Sequence, residues 1–392
     1  MKATLRESES PQGTTDWVAL ARELGQRFDE RAADADASDR FVADNYAELR
    51  AHRFFGAGVP QELGGGGLDQ RALGAVIREL GRHCASTALA FTMHTHQIAA
   101  AAWRWKHQKA PVEGLLKRVA AEEIVLLSSG GADWLMGSGK AARVDGGFRV
   151  DARKVFASGA PAADLFLTTA VYDDPKDGPT VLHCAVPMQA PGVAVLANWH
   201  ALGMRGTGSN DVVLDGVFVP DAAVALRRPR GRWHPAVHLA AMIAIPLIYS
   251  VYLGVAEAAR DIAIARARKR AIDAHLVHLV GRIENELTLT QLAVDEMLDA
   301  AATNVPGAET TNRVMTGRAL AVRGVLGVVD IALEIAGGGG FFREVGLERR
   351  FRDAQACRFH PMQEGAQLEF AGRRALGLDL DAPAGQILAL AA

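Results

Sequence analysis

The chain has 392 residues, of which 49% are hydrophobic and 22% charged, and its formal net charge at pH 7 is -2. This composition supports a large buried core and excludes intrinsic disorder, while the balanced charge excludes a general attraction to nucleic acid or to an anionic membrane. Three widely spaced cysteines, Cys84, Cys184 and Cys357, exclude a disulfide framework and a Cys-x-x-Cys zinc site. His275 and His278 have a metal-compatible spacing, but without a further ligand they indicate a solvated helix face.

The N-terminal third has the pattern of helices. An apolar stripe recurs at intervals of three and four residues at Trp17, Leu20, Leu24 and Phe28. The glycine-rich stretch at residues 58–67 predicts a break, after which an alanine-rich helical pattern continues. This pattern contains His94 and His96, which lie two residues apart, so at most one of them should line a pocket. The first residues lack the apolar core of a signal peptide, and we expect a cytoplasmic protein.

From about residue 126 the chain changes to short β-type runs separated by turns. The sequence DGG at residues 145–147 predicts a hairpin, because such residues accept a positive φ. The alternating run that ends at Pro220 predicts a strand, and Gly216 within it predicts a kink or a bulge. The basic run RRPRGR at residues 227–232 predicts a solvated loop.

A glycine-rich loop precedes this strand, with glycines at Gly203, Gly206 and Gly208. Arg205, Thr207 and Ser209 lie among these glycines as candidate hydrogen-bond donors. Because glycine lets the backbone approach another group closely, the loop predicts a contact with a flat ligand. The alternative is an ordinary glycine-rich turn.

After Trp233 the pattern is helical again. The longest apolar run extends from Leu239 to Val255, and its interruptions favour a buried helix over a membrane span; they are Pro246, Tyr249, Ser250 and Tyr252. A glycine run interrupts the pattern at residues 337–342, and a last helix is expected from about Met362 to Leu376.

The order of helices, strands and helices predicts an α+β fold in three parts. We expect a helical domain over residues 1–125, a β-domain over 126–232 and a helical bundle over 233–392. The bundle carries more apolar surface than it needs for its own core, so we expect a homo-oligomer formed through it.

Five segments in order carry a resemblance: GVPQELGG, ARKVFASGAPAADLF, LGMRGTGSNDVVLDGVFVP, GGGGFFRE and ERRFRDAQACRFHP. On these segments the chain resembles the acyl-CoA dehydrogenase superfamily over nearly its whole length. The resemblance implies a helical N-terminal domain, a middle β-barrel or sandwich, and a C-terminal bundle that forms a dimer or a tetramer. It also implies a flavin between the β-domain and the bundle. The implied flavin-binding residues are Ser129, Phe156, Ser158, Arg205, Thr207, Gly337 and Gly338.

The dehydrogenase reaction requires a carboxylate that removes a proton from the substrate. In the family pattern this base is a Glu nine residues after the Arg of the RDA motif, which here begins at Arg352. The corresponding residue is Pro361, which cannot take a proton. Glu364, one helical turn later, is the alternative base, although a carboxylate is also common in a first helical turn because the helix dipole favours it.

The cofactor motifs also depart from the dehydrogenase pattern. The stretch SSGGADWLMGSG at residues 128–139 replaces a TEP-x-AGSD-like segment, and the Arg-x-x-Phe-Gly motif is missing from RARKRAIDAH. Glu334 replaces a Gln before the glycine run, and a carboxylate facing a pyrophosphate repels it by about 1 kcal/mol. The cofactor is therefore a flavin that is either FAD or FMN.

The segments FASGA and RGTGS are closer to the flavin-dependent monooxygenases of the same superfamily, which receive reduced flavin from a partner reductase. This resemblance implies that His360, Ser158 and His96 line a water-poor pocket; structural roles for the same side chains are the alternative. We predict a reduced-flavin monooxygenase of a small apolar or aromatic substrate. The alternatives are an FAD-dependent acyl-CoA dehydrogenase with Glu364 as its base and a flavin-containing binding protein.

Overall fold

A computed structural model of the chain describes residues 15–129 and 131–382. The N-terminal part folds into helices α1 (Trp17–Ser38), α2 (Ala43–Ala51), α3 (Gln70–His83), α4 (Ala85–Gln108) and α5 (Glu113–Glu122). The predicted stripe of α1 is confirmed, because Leu24 and Phe28 are fully buried. The predicted break lies between α2 and α3. There a methyl group on Gly65 would lie 2.3 Å from the carbonyl oxygen of Val59, so the turn needs a glycine at this position.

The middle part forms one sheet from the strands β1 (Leu126–Ser128), β2 (Lys140–Val144), β3 (Gly147–Lys154), β4 (Leu165–Asp174), β5 (Gly178–Pro187), β6 (Val193–Val195), β7 (Val212–Pro220) and β8 (Val224–Pro229). The strand order is β6-β7-β3-β2-β4-β5-β8, and β1 pairs with β4 in parallel. The β2–β3 hairpin turns at Gly146, whose φ is 74°. The register of β3 against β7 shifts opposite Gly216, which confirms the predicted bulge.

The prediction of a solvated loop over residues 227–232 is wrong for the first half of this range. Residues 224–229 form β8, which pairs antiparallel with β5, and the side chain of Arg228 is only 2% exposed. The basic composition suggested solvation, but pairing with β5 turns Arg228 inward, where backbone carbonyl groups accept its hydrogen bonds.

The C-terminal part contains α6 (Pro235–Ala267), α7 (Ala274–Ala302), α8 (Ala308–Ala336), α9 (Leu347–Ala354) and α10 (Glu364–Ala375). Helix α6 includes the predicted apolar run. It is long and apolar enough to cross a membrane, but 94% of its most apolar window is buried inside the protein. The predicted last helix corresponds to α10, which begins two residues later than expected.

The hydrophobic cores of the described residues divide the molecule differently from the chain order. One core joins the N-terminal helices to the C-terminal bundle, since Phe28 and Phe55 share it with Tyr249 and Tyr252 of α6. The sheet has its own core around Phe166. This order of helices, sheet and helices confirms the predicted fold class, and the candidate site lies where the sheet meets the joined helices.

Candidate active site

The first contact between the sheet and the helices is at the end of β1. The hydroxyl group of Ser128 lies 3.3 Å from Nε2 of His96 on α4, and Ser129 follows, half-buried, in the next loop. Burial lowers the pKa of His96 to about 4, so its imidazole is neutral at pH 7. His96 can therefore donate or accept a hydrogen bond without adding charge to the site.

His94, two residues earlier, has a structural role. Its Nδ1 accepts a hydrogen bond from the backbone N–H of Leu126 at 2.9 Å, and its Nε2 donates to the carbonyl oxygen of Phe55 at 2.8 Å. The ring is 1% exposed, and burial lowers its pKa to about 4. Because both nitrogens have partners, only His96 of this pair is available to a ligand.

The C-terminal part contributes His360 and Pro361. A methyl group on Gly131 would lie 2.8 Å from Cδ of Pro361, so the loop after β1 packs directly on the residue at the family's base position. His360 Nε2 lies 2.6 Å from the hydroxyl group of Tyr252. Burial, and then the charge of Arg318, lowers the pKa of His360 to about 3. His360 is thus a second neutral imidazole beside the loop.

Arg318 on α8 holds the segment that contains His360. Its guanidinium group donates to the carbonyl oxygens of Arg358 and His360, each at 3.0 Å, and its side chain is 2% exposed. Our sequence predictions missed Arg318 and Tyr252. Arg318 lies on the apolar stripe of α8 between the buried residues Met315 and Ala321, and a cation at such a position was the available signal.

The two predicted flavin segments, FASGA and RGTGS, lie against each other. Thr207 donates to the carbonyl oxygen of Met204 at 2.8 Å, Ser209 lies 2.6 Å from Thr207, and Ser158 lies 2.7 Å from Ser209. Since the proton of Thr207 is used on the carbonyl group, Ser209 must donate to Thr207 and Ser158 must donate to Ser209. Ser158 is therefore left as a hydrogen-bond acceptor for a ligand.

The glycines of the RGTGS loop serve close packing within the protein. A methyl group on Gly206 would lie 3.0 Å from Val42 and 3.2 Å from Ser86, and one on Gly208 would lie 2.8 Å from Phe41. The backbone of this loop thus approaches the N-terminal helices. This contact is a physical reason for the glycines that does not involve a ligand.

Arg205 and Thr207 also have partners within the chain. Arg205 Nε donates to the carbonyl oxygen of Ala201 at 2.9 Å and lies 3.7 Å from the carboxylate of Asp39. The side chain of Thr207 is fully buried. These contacts favour a role in holding the loop.

Glu364 and the glycine pair lie away from the cluster. The carboxylate of Glu364 accepts a hydrogen bond from Arg323 at 3.1 Å, and its side chain is 60% exposed. Gly337 and Gly338 follow the C-terminal end of α8, 19 residues after Arg318, which corresponds to about 28 Å along the helix axis. Within one chain, these glycines therefore lie far from His360.

The clustered residues fit a flavin ring. Phe156 adopts a φ of 57° and exposes 57% of its surface at the end of β3, with its ring 5.7 Å from that of Trp199. Beside this apolar surface, Ser158 supplies an acceptor. The buried hydroxyl group of Tyr46, near Gly159, has no partner among the described residues. An exposed aromatic face with neutral polar groups around it suits a planar heterocycle.

Comparisons with known proteins identify the three parts of the chain. The sequence patterns of the N-terminal, middle and C-terminal domains of acyl-CoA dehydrogenases match residues 16–118, 128–217 and 247–364. L-evernosamine nitrososynthase from a Micromonospora species is 31% identical over 97% of this chain and 94% of the relative. The amino sugar nitrososynthase DnmZ from Streptomyces peucetius is 28% identical over 95% of this chain and 96% of the relative.

Among solved structures, KijD3 superposes with a TM-score of 0.85 and 26% identity over 94% of this chain and 96% of that chain. That structure contains FMN and dTDP-3-amino-2,3,6-trideoxy-4-keto-3-methyl-D-glucose. These matches confirm the predicted fold and the predicted flavin cofactor.

Proposed function

The chain belongs to the acyl-CoA dehydrogenase family of flavin-dependent oxidoreductases, and we propose that it is a monooxygenase that uses reduced FMN to oxidise the nitrogen of an amine. The observation that carries the proposal is Pro361 at the family's base position, packed on Gly131 and bordered by the neutral His360. The nitrososynthases and the FMN in the KijD3 structure support it.

A bound reduced flavin would supply the electrons that activate molecular oxygen. The protein supplies a neutral pocket, because burial holds the pKa of His96 at about 4 and that of His360 at about 3. The positive charge of Arg318 behind His360 disfavours an ammonium ion nearby. An amine bound here is therefore kept unprotonated, and its lone pair stays available for oxidation. Ser158, whose own proton is used on Ser209, would accept a hydrogen bond from a ring N–H of the flavin and so help to orient the ring.

The dehydrogenase alternative lacks a base in the described part of this cluster. Glu364 is paired with Arg323 and turned outward, so it would have to leave this partner and cross a helical turn to reach the substrate. An amine substrate also differs from the apolar or aromatic molecule that the sequence suggested. The nitrososynthase relatives favour the amine.

Rapid mixing tests the proposal. The protein is loaded anaerobically with reduced FMN and mixed with oxygen and an aliphatic or sugar amine, and the product is analysed by mass spectrometry. We expect a hydroxylamine or nitroso product that contains oxygen from O2. Anaerobic bleaching of oxidised flavin by a saturated acyl-CoA, with no oxidised amine, would establish the dehydrogenase instead.

We further propose a cytoplasmic homo-oligomer, a dimer or a tetramer, that obtains reduced FMN from a separate reductase. Exposed apolar side chains on the C-terminal part support association: Val277, Leu292, Phe341 and Phe342 are between 60% and 84% exposed. A flavin that touches both Phe156 and Gly338 would also need a second copy of the chain. Light scattering at micromolar concentration measures the assembly, and a monomer would contradict it.

A further inference from the structure

Two fully buried tyrosines, Tyr249 and Tyr252, interrupt the apolar helix α6. They lie three residues apart and therefore on one face of the helix. A buried hydroxyl group is costly unless it is hydrogen-bonded, so each of the two needs a partner. Both partners lie in the short segment at residues 357–360, which leads directly into the residue at the family's base position.

The two hydroxyl groups bind this segment in different ways. Tyr249 donates to the carbonyl oxygen of Cys357 at 2.7 Å, which is a contact with the backbone alone. Tyr252 contacts a side chain, since its hydroxyl oxygen lies 2.6 Å from Nε2 of His360. The backbone of His360 is already held by Arg318, which donates to its carbonyl oxygen at 3.0 Å. Tyr249 therefore holds the segment, while Tyr252 acts on the imidazole itself.

Tyr252 and His360 are both neutral at pH 7, so each carries one proton that could lie in their contact. Burial raises the pKa of Tyr252 well above its ordinary range, and burial lowers the pKa of His360 to about 3. The contact itself takes one proton, which belongs either to the hydroxyl group or to Nε2. The position of this proton determines which nitrogen of the ring is left as a donor.

The surroundings of Tyr252 decide between the two arrangements. If Nε2 of His360 donated, the phenolic proton would need another acceptor, and the hydroxyl group has none within residues 15–129 and 131–382. A buried donor without an acceptor is unfavourable. Tyr252 therefore donates and Nε2 accepts, which places the proton of the neutral imidazole on Nδ1.

Nδ1 is the nitrogen of His360 that remains for a ligand. It makes no hydrogen bond with the described part of the chain, and it is not one of the fully buried, unpaired polar atoms there. The half-buried ring thus keeps this nitrogen accessible at the site where the next residue, Pro361, packs on Gly131. A ligand that meets His360 finds an N–H donor, whereas a ligand that meets Ser158 finds an acceptor.

We propose that Tyr252 is a positioning residue that fixes the proton of His360 on Nδ1, so that the imidazole serves as a hydrogen-bond donor and not as a base. A donor at this position binds an oxygen atom of a reactant and takes no proton from the amine. The inference rests on the proposed function, since it concerns the reaction that His360 serves. The position of the proton can nevertheless be measured without that reaction.

Solid-state NMR of the purified full-length protein with isotope-labelled histidine locates the proton, because protonated and unprotonated ring nitrogens have well-separated chemical shifts. The signals of His360 are identified among the 12 histidines as those that disappear in His360→Gln. We expect the proton on Nδ1 in the wild type by about ten to one or more, since the other form leaves the phenolic proton unpaired. Tyr252→Phe removes this preference, so both forms should be populated.

Tyr249→Phe is the matched control, because it removes a hydroxyl group from the same helix face and the same segment but not from the imidazole. It should keep the proton on Nδ1. In amine oxidation with reduced FMN and oxygen, Tyr252→Phe should lower kcat about ten-fold and leave KM for the amine unchanged, because it weakens an interaction of the transition state. Tyr249→Phe should lower kcat less.

A proton on Nε2 in the wild type overturns the inference, and so does a Tyr252→Phe variant that keeps the wild-type ratio. In either case, continued amine oxidation leaves the proposed function intact. An equal loss of the Nδ1 proton in Tyr249→Phe would show that both tyrosines only hold the segment, which also overturns the inference. A proton on Nδ1 that depends on Tyr252, in a protein that oxidises no amine, supports the positioning by Tyr252 and refutes the proposed function.

Discussion

Two loops meet the helices at the candidate site, and they are held by different forces. The loop at residues 203–209 is held mainly by close packing, with the backbone N–H of Met204 donating to the carboxylate of Asp353: Gly203 lies against the backbone of α9, and Thr207 is fully buried. The loop at residues 131–138 is held by buried charges, those of Arg228 and of the Lys154–Asp133 pair. The glycine-rich motif therefore marks packing, while the loop at residues 131–138 is held by charges although it departs from the family's motif.

The largest expected effect comes from breaking the charged anchor. Lys154→Met leaves the carboxylate of Asp133, which is 8% exposed, without its cation, and we expect a loss of about 3–5 kcal/mol in the free energy of unfolding. The neighbouring variant Arg153→Met is the control, because the side chain of Arg153 is 63% exposed in its pair with Asp211 and should contribute less than about 1 kcal/mol. Urea unfolding measures both. Equal losses of unfolding free energy in the two variants would show that the buried ion pair stabilises this loop no more than a surface ion pair does.

The packed loop is tested by adding one methyl group. A methyl group on Gly203 would lie 2.3 Å from the carbonyl oxygen of Arg352, so Gly203→Ala should cost about 1–3 kcal/mol. Gly372→Ala is the control, since nothing lies within 4 Å of its added methyl group inside α10, and it should stabilise the helix by up to about 1 kcal/mol. A tolerated Gly203→Ala, shown by an unchanged melting temperature, would mean that this loop is not closely packed.

Acid should affect the two loops in opposite directions. Beside the charged loop, burial lowers the pKa of His183 to about 4, so its stabilising contribution is lost as the pH falls from 6.5 toward 4, by at most about 1.4 kcal/mol per pH unit. Beside the packed loop, burial raises the pKa of Asp353 to about 6, so its contribution is gained as the pH falls through 6. His183→Gln keeps an acceptor for Arg228 and should flatten the acid loss of stability. Asp353→Asn should make the loss of stability with falling pH steeper. Unfolding free energies between pH 4 and pH 7 check both slopes, and parallel curves for all three proteins would refute the assignment.

Local signals in the sequence predicted the parts of the fold that local chemistry determines. The hairpin at Gly146, the bulge at Gly216 and the buried helix α6 each follow from turn residues or periodicity within one segment. The site depends instead on contacts between distant segments. Ser128 meets His96 from 32 residues away, and Tyr252 meets His360 from 108 residues away. Periodicity within a segment holds no information about such pairs.

The smallest effect concerns the direction of one hydrogen bond. The order of donors from Ser158 through Ser209 to Thr207 leaves Ser158 as an acceptor, and a reduced flavin carries one ring N–H more than an oxidised flavin. Ser158→Ala should therefore weaken the binding of reduced FMN by about 0.5–1.5 kcal/mol, roughly two- to ten-fold, and affect the binding of oxidised FMN less. Ser209→Ala is the matched variant, because it removes the acceptor of Ser158 and frees that hydroxyl group to donate, which favours oxidised FMN. Dissociation constants for the two redox forms, measured anaerobically for each variant, give the comparison. A shift of both forms by the same factor in Ser158→Ala would show that Ser158 only shapes the turn, and the packed loop would then contribute no polar contact to the cofactor.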